Sequence, residues 1–92
     1  MFTVIAFDIS DDRVRYRVVE VLREYAVRVQ KSVFEAAMLP APDLQRLRER
    51  IEELIDPTTD RVRYYVLCGA CVPRILVSGQ GEVTSYEEFT VV

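Results

Sequence analysis

The run Phe2-Thr3-Val4-Ile5-Ala6-Phe7 puts apolar side chains on both faces of a strand before the chain leaves it at Asp8. Because successive strand side chains point to opposite sides, Phe2, Val4 and Ala6 share a face with Asp8, while Thr3, Ile5 and Phe7 share the other. A strand apolar on both faces has to be covered on both. The chain has 92 residues, 50% of them hydrophobic. That length makes one domain burying a modest fraction of its surface, so the excess of apolar residues points to self-association.

The cover for one face can be read further along. Val14, Val18, Val21, Leu22 and Tyr25 recur at amphipathic-helix spacing, and Ser10 or Asp11 is placed to cap that helix. Residues 26–38 are β-branched and aromatic without a helical period. They fit one long bent strand or two short ones folded near Gln30-Lys31-Ser32, and two strands are expected. Pro40-Ala41-Pro42-Asp43 starts a second helix with Leu44, Leu47, Ile51, Leu54 and Ile55 as its stripe, and Asp56-Pro57 ends it. Arg61 to Leu67 is a strand with Val62, Tyr64 and Val66 opposing Arg61, Arg63 and Tyr65.

The expected order is therefore an α+β fold, β-α-β-β-α-β, as residues 1–78. A tail of residues 79–92 follows, with Gly79-Gln80-Gly81 as a hinge and Phe89, Val91 and Val92 on a C-terminal edge strand. Two helices on one face of such a sheet leave the other bare. A symmetric dimer in which bare faces meet, each tail pairing with a sheet edge, solves this economically.

Net charge is -3, which taken whole argues against a general polyanion binder. The acidity is concentrated in the tail: residues 1–34 carry six basic and five acidic side chains, residues 75–92 none and three. Eleven of the twelve basic residues are arginine, whose planar fork grips phosphate in two places. No apolar stretch is long enough to span a bilayer and the start lacks the order of a signal peptide, so a cytoplasmic location without membrane contact is expected.

Cys68 and Cys71 form a single Cys-Gly-Ala-Cys unit, and the chain has no histidine. Two thiolates are half of a tetrahedral zinc site, so zinc would need two chains. A thioredoxin-type redox pair usually opens a helix, whereas this one follows a strand. The simplest reading is a pair of buried or merely adjacent thiols; zinc and a disulfide are the alternatives.

Asp8 is the candidate for chemistry. A carboxylate at a strand exit lies at the rim of a sheet, within reach of a cation and a phosphate. A two-fold axis near the strand ends would bring a second Asp8 to share a hard cation. Such an ion polarises phosphate and lowers the pKa of a bound water. The plainer reading is that Asp8, like Asp11 and Asp12, caps a helix or solvates a turn. Arg13, Arg15, Arg17 and Arg28 are phosphate contacts or, more plainly, solvated faces, with Arg13 and Arg17 as helix-surface partners of Glu20 and Glu24. Phe34 and Tyr25 read first as core; Phe34 can stack a base only if it is exposed on the open surface of the dimer.

The segment Val4-Ile5-Ala6-Phe7-Asp8-Ile9-Ser10-Asp11-Asp12 with Arg15 and Arg17, followed by Arg28-Val29-Gln30-Lys31-Ser32-Val33-Phe34-Glu35, resembles the small CRISPR-associated protein family of the spacer-acquisition machinery. The Asp56-Pro57 break, the strand to Leu67 and the Cys-x-x-Cys unit extend the resemblance to about residue 78. It implies a homodimer of ferredoxin-like subunits that partners the CRISPR integrase. It further implies Asp8 as the catalytic, metal-binding aspartate, with Mg2+ or alternatively Mn2+ as cofactor. Arg15, Arg17, Arg28, Ser32 and Phe34 stand at positions implicated in activity or contact with RNA or DNA. Lys31 occupies a position where the family usually has an aromatic, which favours another phosphate contact there.

Two functions are expected to compete: a magnesium-dependent endonuclease, and a non-catalytic nucleic-acid-binding adaptor for the integrase. A ligand-sensing module is weaker, since no glycine-rich loop is present to cradle a small ligand.

Overall fold

Asp11 begins the first helix by accepting hydrogen bonds from the backbone N–H groups of Arg13 (2.9 Å) and Val14 (3.0 Å), closing the loop that leaves the first strand. In the computed structural model, which describes residues 1–85, strand β1 spans Phe2–Asp8 and helix α1 spans Asp12–Arg23. Two short strands follow, β2 (Val27–Gln30) and β3 (Val33–Ala36), turning at Lys31-Ser32 as the two-strand reading requires. Helix α2 covers Ala41–Glu52, with Pro42 in its first turn where a missing N–H costs nothing. Strand β4 is Arg61–Leu67, and a short 3-10 turn, Val72–Arg74, comes after it.

The four strands form one sheet in the order β2-β3-β1-β4, with every neighbouring pair antiparallel. The expected β-α-β-β-α-β order is thus present. Each helix crosses over a strand inserted from elsewhere in the chain, so β1 ends up central, between β3 and β4.

Pairing partners in a ladder share a face. Thr3, Ile5 and Phe7 therefore lie on the helix side with Val62, Tyr64, Val66, Phe34 and Ala36. Phe34, Ile5, Leu22, Leu47, Ile51 and Val18 are fully buried there. Burying each such side chain contributes about 1.5–3 kcal/mol, which makes this layer the main source of stability. Across the helix layer, Arg50 grips both carboxylate oxygens of Glu24 at 2.9 Å and reaches the Tyr25 hydroxyl at 3.2 Å, tying α2 to the end of α1.

The stripe of α2 ends at Ile51 within the helix. Leu54 and Ile55 continue it through one further turn, their N–H groups both donating to the Ile51 carbonyl. The loop into β4 is then locked from both ends. The Asp56 N–H donates to the buried Asp60 carboxylate (2.9 Å), and the Asp60 N–H returns to the Asp56 carbonyl (2.8 Å). Thr58 also donates to the Asp56 carboxylate through its N–H and hydroxyl. This closed loop sets the point at which Arg61 enters the sheet.

The other face carries Phe2, Val4, Ala6 and Asp8, flanked by Arg61, Arg63, Tyr65 and Leu67 of β4 and by Val33 and Glu35 of β3. It is not wholly bare within one chain. Gly79 and Gly81 adopt φ of 84° and 112°, values that L side chains rarely take, and the segment around them returns across the sheet. The Thr84 N–H donates to the Glu35 carboxylate at 3.2 Å, and Thr84 is buried. The glycine hinge expected from the sequence therefore leads the chain back over its own sheet. The expected edge strand at Glu88 to Val92 lies outside the described residues. No helix among the described residues is long and apolar enough to cross a membrane.

Candidate functional site

Three aspartates crowd the exit of β1, and local geometry separates them. Asp11 is the helix cap, and the Val14 N–H above all holds its carboxyl below the usual value. Asp12 is ion-paired to Arg15 one turn along α1. Asp8, the last residue of β1, is exposed, and among the described residues its carboxylate has no hydrogen-bond or ion-pair partner. Of the three, it is the one free to bind something from outside.

The β1–β4 register places Arg61 directly opposite Asp8 and Arg63 opposite Ala6. The four residues, with Phe7, line a shallow depression of about 220 Å³. Arg63 is oriented by a hydrogen bond of 3.1 Å to the Tyr65 hydroxyl, two residues along the same face. A carboxylate beside two guanidinium groups suits a phosphate brought in with a cation: the arginines fit the phosphate oxygens and the carboxylate fits the metal. Sequence periodicity puts Arg61, Arg63 and Tyr65 on one face of their strand but does not assign them to the site. The alternation was legible; the partner strand was not.

The expected substrate contacts are gathered unevenly. Arg15 donates from Nη1 to the Ile9 carbonyl at 2.7 Å, which pins it across the β1–α1 loop. Arg28 donates from Nε (3.1 Å) and Nη2 (2.6 Å) to the Lys31 carbonyl, bracing the hairpin turn. These two arginines share a groove of about 340 Å³ with Tyr16 and Arg23 on α1. The Ser32 carbonyl accepts the Phe7 N–H at 3.0 Å, so the hairpin turn is held at the end of β1 from which Asp8 projects. Arg17 is exposed and lies outside the groove; it and Arg13 have no ion-pair partner among the described residues, and Glu24 is held by Arg50. The helix-surface pairing considered for Arg13 and Arg17 is therefore absent among these residues.

Phe34 occupies a different place from the one a substrate contact requires. It is entirely buried, with its ring centroid 6.2 Å from that of Phe7, and it offers no free face to a base. The physical reason is its register opposite Ile5, which turns it toward the helices. Its connection to the surface is through Arg28, whose guanidinium carbon lies 5.8 Å from the ring centroid. Of the two plain readings of the cysteines, the structure has the adjacent one: both are exposed, in the turn after β4.

No group of three or more Cys, Asp or Glu residues among the described residues is arranged to hold a metal ion. Asp8 is a hard oxygen donor suited to magnesium or manganese, but a single chain supplies one such ligand at this position.

Comparison with known proteins gives the family and the fold to which this chain is similar. Residues 1–75 match the family model described as CRISPR associated protein Cas2. A Chloroflexus aurantiacus protein named CRISPR-associated endoribonuclease Cas2 3 is 44% identical over 85 residues, covering 92% of this chain and 90% of the relative. The crystal structure of Streptococcus pyogenes Cas2 at pH 6.5 superposes with a TM-score of 0.73 at 27% identity, covering 86% of this chain and all of that one. A chain from a partial Cas6-RT-Cas1–Cas2 complex gives a TM-score of 0.70 at 26% identity, covering 83% of this chain and 82% of that one. With a family match over most of its length and a relative this similar, the chain belongs to the CRISPR-associated Cas2 family.

Proposed function

We propose that this protein is the Cas2 component of CRISPR spacer acquisition and acts as a metal-dependent endonuclease on RNA or DNA, with Asp8 as its catalytic and metal-binding residue. The observation that carries this reading is the exposed carboxylate of Asp8, unpartnered among the described residues and sharing a depression with Arg61 and Arg63, while Asp11 and Asp12 beside it are occupied. The names of its relatives as endoribonucleases support the same activity.

Because one chain offers a single carboxylate here, the reading includes a symmetric dimer that brings two Asp8 side chains to one Mg2+, or alternatively Mn2+. The half-buried apolar residues Val4 and Ala6, on the face that carries Asp8, support pairing through this face. When bound, the ion supplies Lewis-acid polarisation of the phosphodiester. The chain's own residues position the substrate. Arg61 and Arg63 hold the phosphate nearest Asp8, Arg15 and Arg28 take backbone phosphates along the groove, and Arg17 adds an outlying contact. Ser32 holds the hairpin turn against β1, and Phe34 supports Arg28 from beneath.

The second reading is a nucleic-acid-binding adaptor for the integrase. It is favoured by the likeness to a chain from a complex containing Cas1 and by arginine surfaces that do not depend on a metal. A cleavage assay separates the two. RNA and duplex DNA are incubated with the native protein and with Asp8→Ala, each with magnesium and with chelator. Magnesium-dependent cleavage lost in the variant supports the nuclease. Equal cleavage by both proteins, or none by either while binding persists, leaves the adaptor.

A further inference from the structure

The Cys-Gly-Ala-Cys unit is not used by the site at Asp8. It forms a tight turn at the end of β4: the Cys71 N–H donates to the Cys68 carbonyl at 2.9 Å and the Val72 N–H to the same oxygen at 3.3 Å. The turn brings the two sulfur atoms to 3.3 Å, both on the exposed surface. Space around the turn is open, since a side chain added at Gly69 would meet nothing within 4 Å. A disulfide needs sulfur atoms about 2.05 Å apart, so the pair stands a short approach away from bonding distance.

We propose that Cys68 and Cys71 are a thiol–disulfide exchange site, in which Cys68 attacks a small-molecule disulfide and Cys71 resolves the adduct. The two thiols are unequal in the way this division of labour needs. The Cys71 thiol first, then the backbone N–H groups of Cys71 and Ala70, favour the Cys68 thiolate, while the neighbouring Cys68 pushes the Cys71 thiol up. The thiolate is the attacking species in exchange.

The steps balance without further reagents. The Cys68 thiolate forms a bond to one sulfur of the external disulfide, whose sulfur–sulfur bond breaks and releases one thiolate. Cys71 loses its proton to solvent and attacks the Cys68 sulfur, breaking the mixed disulfide and releasing the second thiolate. Two protein thiols are oxidised to one disulfide. The external disulfide is reduced to two thiols, which take up the two protons. Zinc is the less favoured ligand, because two sulfurs complete half of its shell and no group of three or more ligands stands among the described residues.

The test uses the full chain and oxidised glutathione, read by intact mass without reductant and by free-thiol titration. The native protein should lose two hydrogens and both free thiols, hold no lasting glutathione, and recover with dithiothreitol. Cys71→Ser should stop with one glutathione on Cys68. Cys68→Ser should stop with one glutathione on Cys71 and react more slowly than Cys71→Ser, because the backbone N–H groups of Cys71 and Ala70 favour a thiolate at Cys68. Native protein should also form the internal disulfide with a larger equilibrium constant than the same chain unfolded in guanidinium. Two stable glutathiones per native chain, equal rates for the two serine variants, a disulfide only between chains, or no advantage of the folded over the unfolded chain would each overturn the proposal.

Discussion

Asp8 stands directly opposite Arg61 in the β1–β4 ladder, yet the two make no ion pair, leaving a carboxylate and a guanidinium side by side and both available. Replacing Asp8 by Asn keeps its volume and removes the charge that holds a hard cation. Magnesium-dependent cleavage should fall at least about a hundredfold, corresponding to about 3 kcal/mol of transition-state stabilisation. Nucleic-acid affinity should persist or rise as repulsion is relieved. Single-turnover cleavage and equilibrium binding measured on the same variant check both halves.

Arg61→Ala and Arg63→Ala should weaken binding across sequences and lower the salt dependence by about 0.9 in log-log slope for each duplex phosphate no longer neutralised, or about 0.7 on a single strand. Arg17→Ala should do the same without changing stability, because Arg17 holds nothing else in place. Arg15→Ala and Arg28→Ala should weaken binding and also cost about 1 kcal/mol of stability, because their guanidiniums brace the Ile9 and Lys31 carbonyls. Binding titrations at several salt concentrations, paired with urea unfolding, distinguish the two groups. An unchanged slope for Arg61→Ala and Arg63→Ala removes these side chains from the phosphate path.

Phe34→Ala should cost about 3–5 kcal/mol of stability, the cost of emptying a core aromatic site. Phe34→Leu retains most of the volume and should leave the salt slope of binding near native. A Phe34→Leu variant that stays folded but loses stacking-dependent quenching of a fluorescent base would contradict the core assignment.

Stability should decline at both ends of the pH scale for separable reasons. Asp11, Glu24 and Asp56 have lowered pKa values, caused first by the Val14 N–H, the Arg50 guanidinium and the Thr58 hydroxyl respectively. Their contribution is present above the ordinary carboxylate range and disappears as pH falls through the depressed folded values. Tyr64 is the reverse: burial, then Glu52, pushes it from 10.0 up to about 12. Its contribution is complete below pH 10.0 and is lost as pH rises toward about 12. The Tyr64 hydroxyl is also buried without a hydrogen-bond partner among the described residues. Tyr64→Phe should therefore stabilise the protein by about 1 kcal/mol at neutral pH and flatten the alkaline limb. Thermal midpoints across the pH range measure both effects.

Light scattering over a dilution series should report twice the chain mass. Replacing Val4 by Asp, which puts a charge on the sheet face away from the helices, should shift the population to monomer and abolish metal-dependent cleavage together. A native monomer that still cleaves in an Asp8-dependent manner would separate the activity from the dimer.

The elements of this protein were legible locally. The apolar run to Phe7 marked β1, two-residue alternation marked β4, and the i, i+4, i+7 spacing of Val14, Val18 and Val21 marked α1, whereas the turn that separates β2 from β3 carries no Gly or Asn-Gly to signal it. Asp8 at a strand exit could be singled out for the same reason, since its position depends only on its neighbours in sequence. Tertiary structure decided how those pieces meet. Which strand pairs with β1, and in what register, depends on contacts between residues far apart in the chain, so only the fold could bring Arg61 and Arg63 beside Asp8. The same register turned Phe34 into the core, although its sequence neighbourhood suited a surface contact as well. The cysteines, small and apolar enough to be buried, stand exposed in the turn after β4, which residue type alone does not decide. Side-chain type and periodicity determine what an element is, whereas burial and proximity belong to the packed whole.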